Sequence, residues 1–134
     1  MDQRLLDELV GICGAAAVLH EPLQLLTYEC DGLPHLRSLP AAVVLPSSVS
    51  EVQAIVRLCH REGIPFVARG HGTGLSGGAL PAKGGVVIAL SRMNRVLDVD
   101  IANRRVVVEP GVTNLEITRA VAPHGYYYAP DPSS

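Results

Sequence analysis

The sequence contains no tryptophan, one phenylalanine and four tyrosines. Any core must therefore be mainly aliphatic, drawn from the 48% of residues that are hydrophobic. Long apolar runs are missing too. None approaches the roughly 20 residues that a membrane-spanning helix needs. Asp2, Asp7 and Glu8 surround Arg4, so the N-terminus lacks the basic stretch of a secretory signal. Cysteine is scarce: Cys13, Cys30 and Cys59 show no C-x-x-C spacing. Three scattered thiols cannot make a disulfide framework and fit reduced cysteines in the cytoplasm. An excess of positive charge is also lacking. Eleven Lys and Arg against thirteen Asp and Glu give a net charge of −2, which argues against a nucleic-acid binder that neutralises phosphates. His20, His35, His60 and His124 have no cysteine or carboxylate partners at metal-ligand spacing, so no metal site is expected. With 134 residues, 18% of them charged, one folded domain is expected.

Periodicity supplies the elements. Leu5, Leu6, Leu9 and Val10 recur at helical spacing and stop near Gly14, which predicts a helix over residues 2–13. Residues 28–40 hold Asp31-Gly32 and two prolines and read as turn and loop. Ala41 to Leu45, closed by Pro46, reads as a buried strand. Ser48 followed by Glu51 is a capping-box pattern. Val52, Ile55, Val56 and Cys59 then repeat at i, i+3, i+4 and i+7. A helix over 49–62 follows, with Cys59 in the core and Gly63 at its C-terminal cap. PFVAR (65–69) and GVVIAL (85–90) read as further buried strands. Strand, helix, strand predicts a right-handed crossover and a parallel pair, and continuous apolar runs fit strands covered on both faces.

After residue 93 the pattern changes. VLDVD (96–100) and RVVVE (105–109) flank a turn at Ala102-Asn103, an antiparallel hairpin. Pro110-Gly111 ends it. Thr113 and Glu116 form a second capping box, opening a helix over about 114–122 that Pro123 and Gly125 stop. Tyr126, Tyr127 and Tyr128 are expected to alternate between core and surface. The change of pattern implies two small subdomains sharing one interface.

The chemistry points to ARGHGTGLSGG, residues 68–78, in which six of eleven positions are Gly or Ala. Glycines let backbone N–H groups approach an anion closely, and successive N–H groups form a nest for phosphate oxygens. Thr73 and Ser76 add hydroxyls. Arg69 either supplies charge or pairs with a structural carboxylate. GTGLSG (72–77) matches the G-x-G-x-x-G of dinucleotide-binding folds, but that motif needs a helix to begin at the loop. Here Pro81 and Gly84-Gly85 lead into a strand, so the match is accidental. No Gly-Lys-Ser/Thr occurs, which excludes a P-loop.

The loop resembles the pyrophosphate loop of the FAD-linked oxidases of the vanillyl-alcohol oxidase/p-cresol methylhydroxylase superfamily. PAAVVLPSSVSEVQAIVRLC, SRMNRVLDVD, RVVVEPGVTNLEI and YYYAPDPSS are similar to successive blocks of the glycolate oxidase flavoprotein subunit and its D-lactate dehydrogenase relatives. The resemblance implies an α+β fold, the PCMH-type FAD-binding domain. Residues 1 to about 93 would form an N-terminal βαβ subdomain, and about 94–134 the truncated start of a second, antiparallel subdomain. The substrate-binding cap domain would be absent. It further implies diphosphate contact at Gly70, His71, Gly72, Thr73 and Gly74, with Arg69, Ser76 and Gly77 beside them, and Pro46 near the adenine. Pro110, Gly111, Pro130 and Asp131 would line the flavin channel.

Relatives that bond flavin covalently carry a histidine in a pattern like RGSGHS. Aligned on Arg69-Gly70, that position is Thr73, and His71 falls two residues early, so non-covalent FAD is expected. The function implied is oxidation of a D-2-hydroxy acid, glycolate or D-lactate, by hydride transfer to FAD. The groups that activate the substrate would lie outside this chain, so no catalytic residue is assigned and the chain alone is expected to be inactive. Partners would include an iron–sulfur subunit and other oxidase subunits, with a cytoplasmic location peripheral to the inner membrane through that complex. The alternative is a non-catalytic module that binds a nucleotide or a partner protein.

Overall fold

A computed structural model describes residues 1–130. Helix α1 (Gln3–Cys13) starts at Asp2, whose side chain accepts from the Arg4 N–H, and ends at Gly14, φ +84°. Two short elements that periodicity does not reveal follow: strand β1 (Val18–Leu19) and the single helical turn α2 (Pro22–Leu25). Strand β2 (Ala42–Val44) leads to helix α3 (Val49–Arg61), then to β3 (Phe66–Arg69) and β4 (Val86–Ala89). A hairpin of β5 (Val96–Asp100) and β6 (Arg105–Val108) precedes helix α4 (Asn114–Val121).

The first four strands form one sheet in the order β1-β2-β4-β3. Strands β2, β3 and β4 are mutually parallel, and β1 runs antiparallel to β2. The expected crossover therefore differs in one respect. Strands β2 and β3 are parallel but not adjacent, because β4 inserts between them. That order leaves β3 at the edge. Phe66 is 44% exposed, so PFVAR is not a buried strand, whereas β2 and β4 are covered on both faces. On one face Ala42, Val44, Val86 and Ile88 meet Leu6 and Leu9 of α1 and Ile55, Leu58 and Cys59 of α3. On the other, Val43, Val87 and Ala89 meet Leu25, with Tyr28 and Val67 alongside. The core is aliphatic, as the shortage of aromatics requires.

Capping follows local chemistry. The Ser48 side chain accepts from the Glu51 N–H at 3.3 Å, but the Glu51 carboxylate turns to the N–H and hydroxyl of Ser47. Only half of that capping box forms, because the neighbouring serine offers two donors. Thr113 and Glu116 form the complete box, with bonds of 2.7 and 3.2 Å between each backbone N–H and the other's side chain. At the end of α3, Gly63 takes φ +65° and the Ile64 N–H bonds the Cys59 carbonyl, the six-to-one closure of a glycine cap.

The hairpin forms where expected, closed over residues 101–104 with Arg104 at φ +53° and Asp100 accepting from the Asn103 N–H. The three tyrosines do not alternate. All are exposed, Tyr127 at 74%. They line a concavity of about 700 Å³ with residues of the hairpin and α4. Cys13, Cys30 and Cys59 are free, and burial pushes the Cys13 thiol up to about 11. Among the described residues no helix is long and apolar enough to cross a membrane, and no cluster suited to a metal ion occurs.

Helices α1 and α3 are tied by crossed ion pairs: Arg4 to Glu62 at 2.7 Å, and Arg61 to Glu8. Hydrogen bonds from Arg4 and then Arg61 hold the Glu62 carboxyl at about 2, against an ordinary 4.5. A carboxyl whose folded value is depressed adds stability above its unfolded value and loses it as pH falls through the folded one. The unfolding midpoint is therefore expected to fall between about pH 4.5 and pH 2. Glu62→Gln should make that fall shallower, read from thermal melts across the pH series. A variant curve parallel to the wild type would mean that the pair contributes nothing.

Candidate functional site

Because β2, β3 and β4 run in the same direction, Pro46, Gly70 and Leu90 all leave the same, carboxyl edge of the sheet. In open α/β sheets this is the edge where ligands bind. No helix opens at the loop after β3. It runs through residues 70–85 directly into β4, which removes the dinucleotide fingerprint reading as the sequence argued.

The loop's internal hydrogen bonds use its carbonyls. Gly74 accepts from the Gly32 N–H at 2.9 Å and Gly77 accepts from the Leu80 N–H at 3.2 Å. Among the described residues, no amide from Gly70 through Gly78 donates to any protein acceptor, and the Thr73 and Ser76 hydroxyls are also unpaired. Most of this stretch is exposed. Its glycines divide into two kinds. Gly72 and Gly77 have φ of +72° and +69°, so the turn itself requires them. Gly70, Gly74 and Gly78 are not in the left-handed region, and a Cβ at any of them would meet nothing within 4 Å. The fold alone does not explain those three. Unpaired amides along an exposed stretch are what an extended anion such as a diphosphate requires, so the loop fits the flavin nucleotide that the resemblance implied.

The loop is held from two sides. Arg69, 8% exposed, lies beneath it and donates from Nη1 to the Cys30 carbonyl at 2.8 Å. It pairs with no carboxylate among the described residues. His71 Nε2 lies 3.2 Å from the Gly111 carbonyl. Gly111 is buried against residues 90–93, its N–H bonded to the Met93 carbonyl at 2.8 Å. The start of α4 stands nearby: the Glu116 carboxyl is held low first by the Thr113 N–H and hydroxyl, with a smaller electrostatic contribution from His71.

The structure thus gathers Arg69 to Gly77, Pro110 and Gly111 at one edge. Pro46 sits at that edge but is fully buried. Pro130 is elsewhere, in the tyrosine-lined concavity, and Asp131 lies outside the described residues. Sequence reasoning missed Tyr28, Cys30 and Gly32 as the loop's support. Asp31-Gly32 announced a turn, but a contact across 39 residues leaves no local trace.

A mixed sheet with an amide cradle at its carboxyl edge, joined through Gly111 to an antiparallel hairpin, defines a nucleotide-binding domain of mixed α and β structure. The chain belongs to the FAD binding domain family, which matches residues 40–134. It is 52% identical over 117 residues to the glycolate oxidase subunit GlcD of Escherichia coli strain K12, covering 87% of this chain and 23% of that protein. It is 35% identical over 130 residues to the D-2-hydroxyglutarate dehydrogenase of Stutzerimonas stutzeri, covering 97% and 28%. The solved structure of p-cresol methylhydroxylase with substrate bound superposes with a TM-score of 0.74 at 23% identity, covering 91% of this chain and 24% of that one. That likeness concerns the fold. The chain spans about a quarter of the length of the curated relatives it matches.

Proposed function

We propose that this chain is the FAD-binding part of a flavoprotein that oxidises a D-2-hydroxy acid, with glycolate or D-lactate as substrate. Bound FAD would supply the acceptor for the hydride that leaves the α-carbon of the acid. The chain's own share is to hold and orient the cofactor. The amides from Gly70 to Gly74 bind the diphosphate, with Ser76 and Gly77 beside them. Pro110 and Gly111 border the flavin channel, and the cofactor is held without a covalent bond. Residues 1 to about 93 make the first subdomain and the hairpin begins the second. The relatives' names, a glycolate oxidase subunit and a D-2-hydroxyglutarate dehydrogenase, support the substrate class, and the word subunit supports further oxidase subunits as partners.

One observation carries the diphosphate reading: Gly70, Gly74 and Gly78 have no internal reason to be glycine, yet sit among unpaired amides. Gly74→Ala tests it. The unfolding midpoint should stay within about 2 °C of wild type, while FAD binding weakens about tenfold as the methyl group enters the cradle, followed by flavin fluorescence. Unchanged affinity would remove the loop from the site. Acid precipitation of the flavin-loaded protein should leave all flavin in the supernatant, and flavin in the pellet would mean a covalent link.

A further inference from the structure

We infer that Arg69 and Tyr28 form a brace that presets the amide cradle, Arg69 acting as a positioning residue beneath the loop rather than as a ligand to the phosphates. This rests on the reading of the loop as the diphosphate site.

Arg69 is the last residue of β3 and is buried, while the loop that follows is open to solvent. A buried cation needs compensation. Its partners are unusual. No carboxylate lies within ion-pairing distance among the described residues. The guanidinium instead donates to the Cys30 carbonyl and stands with Cζ 5.5 Å from the centre of the Tyr28 ring, within the range of cation–π attraction. Gly72 rests directly on it. A Cβ at residue 72 would fall 2.1 Å from Nη2 and 2.4 Å from Cζ. The plane of the guanidinium is therefore the surface on which the loop makes its left-handed turn. Two residues on, the Gly32 N–H holds the Gly74 carbonyl, and a Cβ at residue 32 would meet the Thr73 and Gly74 carbonyls at 2.7 and 2.9 Å. Segment 28–32 thus fixes the loop from behind at both ends of the Gly72–Gly74 stretch. It holds the Gly74 carbonyl inward, while the amides of the stretch donate to no acceptor among the described residues. With no carboxylate oxygen within ion-pairing distance among those residues, the cation one layer below also favours an anion above.

A planar fork lies flat against a ring and under the loop while donating from its edge; a lysine ammonium is a compact point charge with no flat surface to offer. The Tyr28 hydroxyl makes no bond among the described residues, so only its ring matters. The test uses the protein at its full natural length and measures affinity for FAD and for ADP, a diphosphate without the flavin. Tyr28→Phe should bind both within about twofold of wild type, whereas Tyr28→Leu and Arg69→Lys should each weaken both about tenfold. Recovery by phenylalanine separates bracing from bulk stability, and circular dichroism checks the fold. Should Arg69→Lys fail to fold, the two Tyr28 variants decide. Wild-type affinity in Tyr28→Leu overturns the brace; if Arg69→Lys is weak at the same time, Arg69 touches the phosphates directly. Wild-type protein that binds neither FAD nor ADP overturns the diphosphate reading itself, a distinct result.

Discussion

Gly111→Ala is expected to lower the midpoint of thermal unfolding by about 10 °C, the largest loss of stability among the substitutions considered. A Cβ at residue 111 would sit 2.3 Å from the Leu90 carbonyl oxygen, 2.8 Å from that of Met93 and 3.0 Å from the Ser91 Cα. All three are backbone atoms, so no side chain can swing away. Either the turn after β6 lifts off residues 90–93, or those residues move at the end of the central strand β4. Lifting the turn breaks the bond from the Gly111 N–H to the Met93 carbonyl and shifts the carbonyl that faces His71. Overpacking of this kind costs about 3 kcal/mol. Because the same turn fastens the hairpin to the first sheet, FAD binding should weaken as well. Thermal melts with and without FAD check both effects. A variant within about 2 °C of wild type would show that the close approach at Gly111 is not rigid.

What was legible in the sequence follows how local each cause is. The spacing of Val52, Ile55, Val56 and Cys59 located α3 to within one residue, because a helix face is decided by neighbours three and four positions away. The hairpin was equally plain, since its alternation and its Ala102-Asn103 turn are contiguous. Strand order was not legible. Residues 65–69 and 85–90 both read as apolar strands, although the first carries Pro65 and Arg69, and β4 lies in the centre with β3 at the edge. Apolarity identifies a strand without saying how many neighbours it has. Strand β1, two residues long, is too short to carry any period. The site divides in the same way. The glycine loop declared itself by composition, but its carrying feature, the Gly74 and Gly77 carbonyls bonded while the amides stay free, depends on Gly32 and Leu80. For Arg69 the sequence left open a phosphate or a carboxylate as partner, and the structure supplies a tyrosine ring and a carbonyl.

These two scales meet in the loop. Its turn is set locally, by glycines at φ +72° and +69°. Its orientation is set from a distance, by segment 28–32 behind and Gly111 beside it. A cradle preset in this way binds an anion without first ordering itself, which reduces the entropy lost on binding. Stability and affinity should therefore respond to different glycines.

Gly72→Ala should show that separation most clearly. Alanine at φ +72° costs about 1–2 kcal/mol, and its Cβ cannot share the place held by the Arg69 guanidinium, 2.1 Å away. The far end of a long side chain can move, so the protein folds. The guanidinium then leaves the Tyr28 ring and the Cys30 carbonyl, and the loop loses its floor. FAD affinity should fall about a hundredfold, equivalent to about 2.7 kcal/mol, while the unfolding midpoint of the ligand-free protein drops by about 5 °C. That is the reverse of the order at Gly111, where stability leads. Isothermal titration with FAD and melts of ligand-free protein give the two numbers independently. Equal or greater affinity in Gly72→Ala would mean that the amides of this turn do not face the cofactor.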